Sequence, residues 1–334
     1  MSTTTAIGYR RALPVTDPDC LLTEDVPVPE LRPHDLLVEV EAVSVNPVDI
    51  KLRAGAVPDG LRVLGFDAAG TVRAVGEAVT LFAVGDEVYY AGAIDRPGTN
   101  QRLQAVDERL VGRKPTTLTM AQAAALPLTV ITAWEALFDH LGLTSDSSGR
   151  LLIVGATGRV GIAMTQLAAA LVPGVEVIAT ASGPERAELI TSLGAAHVVD
   201  HHGDLERQVR AIAPDGVDWL FTAYSEGQVA LYGQIVAPFG RVVAIDDGSR
   251  DVAPLKSRAI SWHWEFMFAR SLHHACDMVA QHELLDAVAE LVDAGRLHPV
   301  IEAELTPINV ANLVRAHEAV ETGHLAGKVV LHGW

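Results

Sequence analysis

The run Leu151-Leu152-Ile153-Val154, continued at once by Gly155-Ala156-Thr157-Gly158-Arg159-Val160-Gly161, constrains this chain more than any other stretch. Four apolar residues predict a buried strand. The glycines predict a tight turn, and Ile162 to Leu171 reads as a helix. Glycines let a backbone approach a pyrophosphate closely, and a helix N-terminus offers unpaired N–H groups and the positive end of a dipole. The spacing is G-x-x-G-x-x-G rather than the strict G-x-G-x-x-G. Its weight comes from the residues C-terminal to it. Val175 to Ala179, His197 to Val199, Trp219 to Thr222 and Arg241 to Ile245 read as strands. Helical patterns lie between them at Pro184 to Leu193, Leu205 to Ala213 and Gln228 to Val236. Repeated β-α units of this length predict a doubly wound parallel sheet that binds a dinucleotide.

The second of these strands ends at Ala179-Thr180-Ala181-Ser182. An NAD-preferring site usually places a carboxylate there, on the ribose 2′-hydroxyl. Here Ser182 and Arg186 stand instead. A hydroxyl and a guanidinium suit a 2′-phosphate, so NADP(H) is the expected cofactor. The competing reading makes Ser182 a helix cap and Arg186 a solvated residue.

Before residue 119 the pattern differs. Leu36 to Val43 begins apolar and then alternates, and Gly65, Gly70, Gly76 and Gly85 punctuate short apolar runs. This predicts a compact barrel of short strands. Thr119 to Leu126 and Thr132 to Leu141 read as helices. The tail from about Arg270 reads as helical and closes on a strand at Lys328 to Leu331. Trp262, Trp264, Phe266 and Phe268 alternate as a strand does, lining either an apolar pocket or a subunit edge.

Charge narrows the function classes. The formal net charge is −17, which repels phosphate backbones, so no nucleic-acid partner is expected. No secretory signal is visible. The apolar stretch Ala121 to Leu137 is interrupted by Gln122, Pro127 and Glu135, so no membrane span is expected and the cytoplasm is the default compartment. Two cysteines, Cys20 and Cys276, form no metal-binding or disulfide spacing.

With these motifs in hand, the chain resembles the medium-chain dehydrogenase/reductase superfamily, in particular its zinc-free quinone oxidoreductase and enone reductase branch. The likeness rests on Ser44-Val45-Asn46-Pro47-Val48-Asp49, Gly65-Phe66-Asp67-Ala68-Ala69-Gly70, Val84-Gly85-Asp86-Glu87-Val88, the stretch Leu126 to Glu135, the glycine loop and Gly327-Lys328-Val329-Val330-Leu331. Ile260-Ser261-Trp262-His263-Trp264-Glu265 looks like a subgroup often labelled zinc-binding alcohol dehydrogenase. The resemblance implies a GroES-like β-barrel domain from residues 1–125 and 269–334, a Rossmann domain from 126–268, an active site in the cleft and a homodimer. It also implies cofactor contacts at Thr129, His201, Ile245 and Lys328, beside the glycine-loop residues Gly155, Thr157, Gly158, Arg159, Val160 and Gly161.

In zinc-dependent relatives the first metal ligand is a Cys where this chain has Asn46, and the second a His where it has Phe66. No metal is therefore expected. Hydride chemistry then needs a protein donor for the charge that develops on the acceptor oxygen. Asn46 and Lys51 are the candidates, with Lys51 acting on the enolate or on the cofactor's nicotinamide end. Asp49 and Arg53, four apart, suit a pair across one helical turn. The expected activity is NADPH-dependent reduction of a quinone or α,β-unsaturated carbonyl. A zinc alcohol dehydrogenase and a non-catalytic NADP(H)-binding sensor are the alternatives.

Overall fold

A computed structural model describes residues 2–55, 57–323 and 325–334. The chain divides into two compact units, Met1–Leu128 with Phe268–Trp334, and Thr129–Met267. The first division falls three residues later than residue 125, because Pro127 does not end a helix but starts one, α3 (Pro127–Trp134). Proline fits the first turn, where its missing N–H has no partner to lose. A short helix, α2 (Met120–Ala123), precedes it, with Thr119 and Gln122 forming a reciprocal capping box. Beyond Trp134 the helix widens into a π-turn, Glu135–His140. Among the described residues the helical stretch Met120–His140 is long and apolar enough to cross a membrane, contrary to expectation. In its most apolar window 83% is buried within the protein, so that apolarity serves the core.

The discontinuous unit holds two sheets. Strands β1 (Thr3–Tyr9), β2 (Leu22–Pro27) and β4 (Arg62–Val63) form one, in the order β2-β1-β4. The other runs β15-β16-β3-β5-β6-β8, with β7 paired to β3 off that path. Its strands are β3 (Asp35–Ser44), β5 (Ala68–Val75), β6 (Glu87–Tyr90), β7 (Leu103–Asp107), β8 (Val111–Arg113), β15 (Ile301–Leu305) and β16 (Lys328–His332). Helices α1 (Pro47–Gly55), α8 (Ala269–Leu272), α9 (Ala280–Asp293) and α10 (Val310–Glu321) complete the unit. Strand β15 corrects the helical reading of the tail. Its Glu, Ala and Leu favour helix, but parallel pairing with β16 overrides that propensity.

The second unit is one parallel sheet in the order β11-β10-β9-β12-β13-β14. The strands are β9 (Gly149–Val154), β10 (Val175–Thr180), β11 (His197–Val199), β12 (Val217–Thr222), β13 (Val236–Ala244) and β14 (Ser261–Trp264). Helices α4 (Arg159–Leu171), α5 (Pro184–Ser192), α6 (Leu205–Ile212) and α7 (Val229–Ile235) connect them. Leu152, Ile178, Leu220 and Val242, one from each central strand, are buried in a common core with Tyr232 and Ile235 of α7. The alternating aromatic run is a strand only through Trp264. Trp262 packs on this core, while Trp264 and Phe266 are exposed. The strand order reverses between β9 and β12, and ligands of such sheets bind at that reversal, beyond the C-terminal strand ends.

Candidate active site

At the reversal, β9 ends at Val154 and the backbone turns at Gly155 with φ +90°. Gly161 lies in the first turn of α4. A Cβ there would stand 2.4 Å from the Gly155 carbonyl oxygen and 2.5 Å from Ala156 Cα, so only glycine lets helix and loop pack this closely. Gly158 is the N-cap of the 13-residue α4, with no side-chain capping bond. The first-turn N–H groups of such a helix suit an anion. Thr157 is buried, and Arg159 and Val160 open the helix, each half-buried. Sequence reading missed Thr180. Its hydroxyl accepts from Gly155 N–H at 2.9 Å and donates to Ile153 C=O at 3.3 Å, fixing the loop from the neighbouring strand. The one available signal was a Thr closing the strand that comes after the loop.

Ser182 and Arg186 lie beyond β10. The N-cap of α5 is Gly183, at φ +79°, with Pro184 in the first turn, so Ser182 is not the cap. Val199 lies beside Thr180 in register, and the next residue's N–H, from Ala181, donates to the Val199 carbonyl. His201 sits two residues past Val199 on an exposed turn, its ring 4.2 Å from that of His202. Partial burial, His202 and Arg186 together hold its imidazole below the usual range. Ile245 comes directly after β13 and donates its N–H to Thr222 C=O. Thr129 is buried in α3. The sheet thus gathers the glycine loop, Ser182, His201 and Ile245 at its C-terminal edge, with Arg186 on the first turns of α5.

The discontinuous unit contains a buried polar cluster. Asp67, fully buried, accepts through Oδ2 from Ser44 Oγ (2.7 Å), Asn46 Nδ2 (2.7 Å) and Lys328 Nζ (2.6 Å). Its Oδ1 accepts from Leu128 N–H in the first turn of α3. Lys328 also donates to Asn46 Oδ1 at 2.5 Å. Two expectations change here. The Asn46 amide does not present a donor outward, because Nδ2 is turned to Asp67 and the Phe66 carbonyl. The Lys328 ammonium points into the cluster, because a buried carboxylate requires a counter-charge. Lys51 does not join this cluster. It lies exposed on α1.

The helix-turn pair of Asp49 and Arg53 does not form either. Asp49 accepts from the N–H groups of Asn46 and Gly65. Burial, chiefly, raises its pKa to about 7, with Asp67 adding to the rise. Arg53 reaches α10 instead, pairing with Glu321 and donating to His317 Nδ1 and the Leu13 carbonyl. Burial and then Arg53 push His317 down to about 3.

These donors do not fit zinc. Three protein ligands are needed. Asn46 Oδ1 already receives the Lys328 ammonium, which a dication would have to face. Phe66 offers no donor, and its ring packs edge-on against Phe268 at 5.2 Å. Among the described residues the donors that do gather, Asp200, His201 and His202, lie on an exposed turn of the parallel-sheet unit. The parallel-sheet edge does fit a dinucleotide, by the close glycine packing and the uncapped α4.

Comparison with known proteins identifies the family. Residues 32–129 match the alcohol dehydrogenase GroES-like domain family and residues 193–331 the zinc-binding dehydrogenase family. A zinc-type alcohol dehydrogenase-like protein of Staphylococcus epidermidis is 35% identical over 98% of this chain and 99% of its own length. A 2-methylene-furan-3-one reductase of Solanum lycopersicum is 32% identical, over 93% of this chain and 75% of its own. The crystal structure of a Rhizobium etli CFN 42 protein assigned to the zinc-dependent alcohol dehydrogenases superposes with a TM-score of 0.95 at 47% identity, covering 100% of this chain and 99% of that one.

Proposed function

The chain belongs to the medium-chain dehydrogenase/reductase superfamily, as an oxidoreductase built for a nicotinamide cofactor, and from that premise we propose that it is an NADPH-dependent, metal-free reductase of quinones or α,β-unsaturated carbonyls. The observation that carries this reading is the buried Lys328–Asp67–Asn46 cluster beside Phe66. Alcohol oxidation in this superfamily relies on a metal to acidify the hydroxyl. Reduction of a conjugated acceptor needs only a hydride, a proton and a donor for the enolate oxygen. The tomato relative is itself named for the reduction of such a carbonyl.

When bound, the dihydronicotinamide supplies the hydride. The glycine loop, braced by Thr180, would hold the pyrophosphate at the N-terminus of α4. Ser182 and Arg186 would hold the adenosine 2′-phosphate, where a carboxylate would repel it. Lys51 offers an exposed ammonium to the acceptor oxygen as charge develops there, and the α-carbon takes its proton from water. Asp67, through Asn46 and Lys328, holds the surrounding backbone rather than touching the acceptor.

The test is oxidation of NADPH against a panel of quinones, enals and enones, before and after dialysis against a strong chelator. Turnover on at least one conjugated acceptor, unchanged by the chelator, is expected. Activity restricted to simple alcohols and aldehydes, or activity lost on dialysis and restored by zinc, refutes the reading.

A further inference from the structure

Tyr224 is an exposed aromatic on an unusually fixed seat. The residue is 67% exposed, yet the backbone on either side is tied to buried groups. Its N–H donates to Thr222 Oγ1 at 3.0 Å, and its carbonyl accepts from Tyr232 OH at 2.9 Å. Thr222 Oγ1 and Tyr232 OH are themselves 2.8 Å apart, and both residues are buried. On the other side, Ser225 is fully buried and joined to Asp246 through both its N–H and its hydroxyl, at 2.7 Å each. Arg250 donates to both Ser225 and Asp246. A surface loop with no task for its tyrosine does not need this bracing.

The ring's position gives it a task. Thr222 pairs with Val154 in register, and Ala223 N–H donates to the Val154 carbonyl, so Ala223 comes level with Gly155 across the strand reversal and Tyr224 follows one residue beyond. A Cβ placed on Gly155 would stand 3.2 Å from Tyr224 Cε2. The ring therefore borders the first glycine of the phosphate loop and leaves its outer face to solvent.

We propose that Tyr224 is a cofactor-contacting residue whose ring walls the pyrophosphate site opposite the N-terminus of α4 and binds NADPH and NADH alike. This rests on the cofactor reading above and adds a residue that the glycine motif does not reveal. The phosphate loop receives the part that both dinucleotides share, so the ring cannot distinguish them, unlike Arg186. Burying a few tens of Å² of the ring against the bound cofactor corresponds to roughly a 3–10-fold change in affinity.

The experiment is titration of wild type, Tyr224→Ala and Tyr224→Phe with NADPH and with NADH, monitored by ligand fluorescence and calorimetry, together with the thermal midpoint of each free protein. Tyr224→Ala should raise the Kd of both cofactors by about 3–10-fold and by the same factor. Tyr224→Phe should stay within about twofold of wild type, since the ring and not the hydroxyl makes the contact. The free variants should melt with wild type, because the ring buries little in the free protein. Unchanged affinity in Tyr224→Ala, or a loss confined to NADPH, overturns the inference while leaving the cofactor reading intact. A wild-type protein that binds neither dinucleotide overturns both.

Discussion

Lys328→Met removes the ammonium from the buried cluster while keeping most of the side-chain volume. Lys328 is 3% exposed and Asp67 is fully buried, so no water replaces the lost donor. Removing one partner of a buried ion pair destabilises by about 3–5 kcal/mol, because the other charge is left uncompensated. Asp67 keeps Ser44, Asn46 and Leu128 as donors, which places the loss toward the lower end of that range. Asn46 Oδ1 simultaneously loses its donor, which moves it back up. For a unit of this size each kcal/mol lowers the midpoint by about 2–4 °C, so the discontinuous unit should melt roughly 10 °C earlier. Scanning calorimetry reads this directly, and the transition of the parallel-sheet unit serves as an internal reference. Asp67→Asn strands the ammonium instead and should be similarly harmful. The double variant, with neither charge, should recover much of the stability, giving a coupling above about 1 kcal/mol. If Lys328→Met melts with wild type, or the double variant is no better than the worse single one, the cluster is not a compensated ion pair and the case against zinc loses its base.

Three further outcomes are expected. Arg186→Ala should weaken NADPH binding by about 1–3 kcal/mol, the scale of a charged hydrogen bond, and leave NADH unchanged; equal losses for both would show that Arg186 does not read the 2′-phosphate. Lys51→Met should lower kcat/KM by roughly 10²–10³ with cofactor affinity intact, as when one oxyanion donor is removed, whereas a raised NADPH Kd with kcat recovered at saturation would move Lys51 to the cofactor. Asp49, raised to about 7, holds a proton in the folded state that the unfolded chain releases near pH 4, so this residue's contribution to stability falls as pH rises between those values. The decline reaches about 1.4 kcal/mol per pH unit at its steepest. Asp49→Asn should remove that slope, and unfolding midpoints measured at pH 5 and pH 8 with the same slope in both proteins would contradict it.

The parallel-sheet unit was legible because its information is local. Each strand there is a short apolar run and each helix a 3.6-residue pattern, so Pro184 to Leu193 and the observed Pro184–Ser192 differ by one residue. The glycine loop was visible for the same reason: Gly155, Gly158 and Gly161 lie within seven residues of one another. The buried cluster was not visible. Lys328 and Asn46 are 282 residues apart, and no spacing rule brings an ammonium to an amide across that distance. Asn46 was therefore read as an outward donor when its amide is consumed inside. Arg53 failed similarly. Its neighbour at i−4 is Asp49, but its partners are on α10, and the packing of α1 against α10 decides the pairing. Tyr224 carried no signal, since an aromatic beyond a strand end looks alike whether its backbone is anchored or loose.

Strand β16 sits between β15 and β3, and it comes after every other described strand in chain order. Residues 129–267 are synthesised completely before it exists, so the parallel-sheet unit can fold while the other is still missing its closing piece. Until residues 328–332 emerge, the 42–44 stretch of β3 has no partner from β16, and Asp67 waits without its ammonium. Arg53 waits likewise for Glu321 and His317. A nascent chain stalled before that point carries an open sheet edge and stranded charges, the features that recruit chaperones and proteases. A product truncated before Lys328 would hold every residue of the parallel-sheet unit but lack the strand and the ammonium that close the discontinuous one.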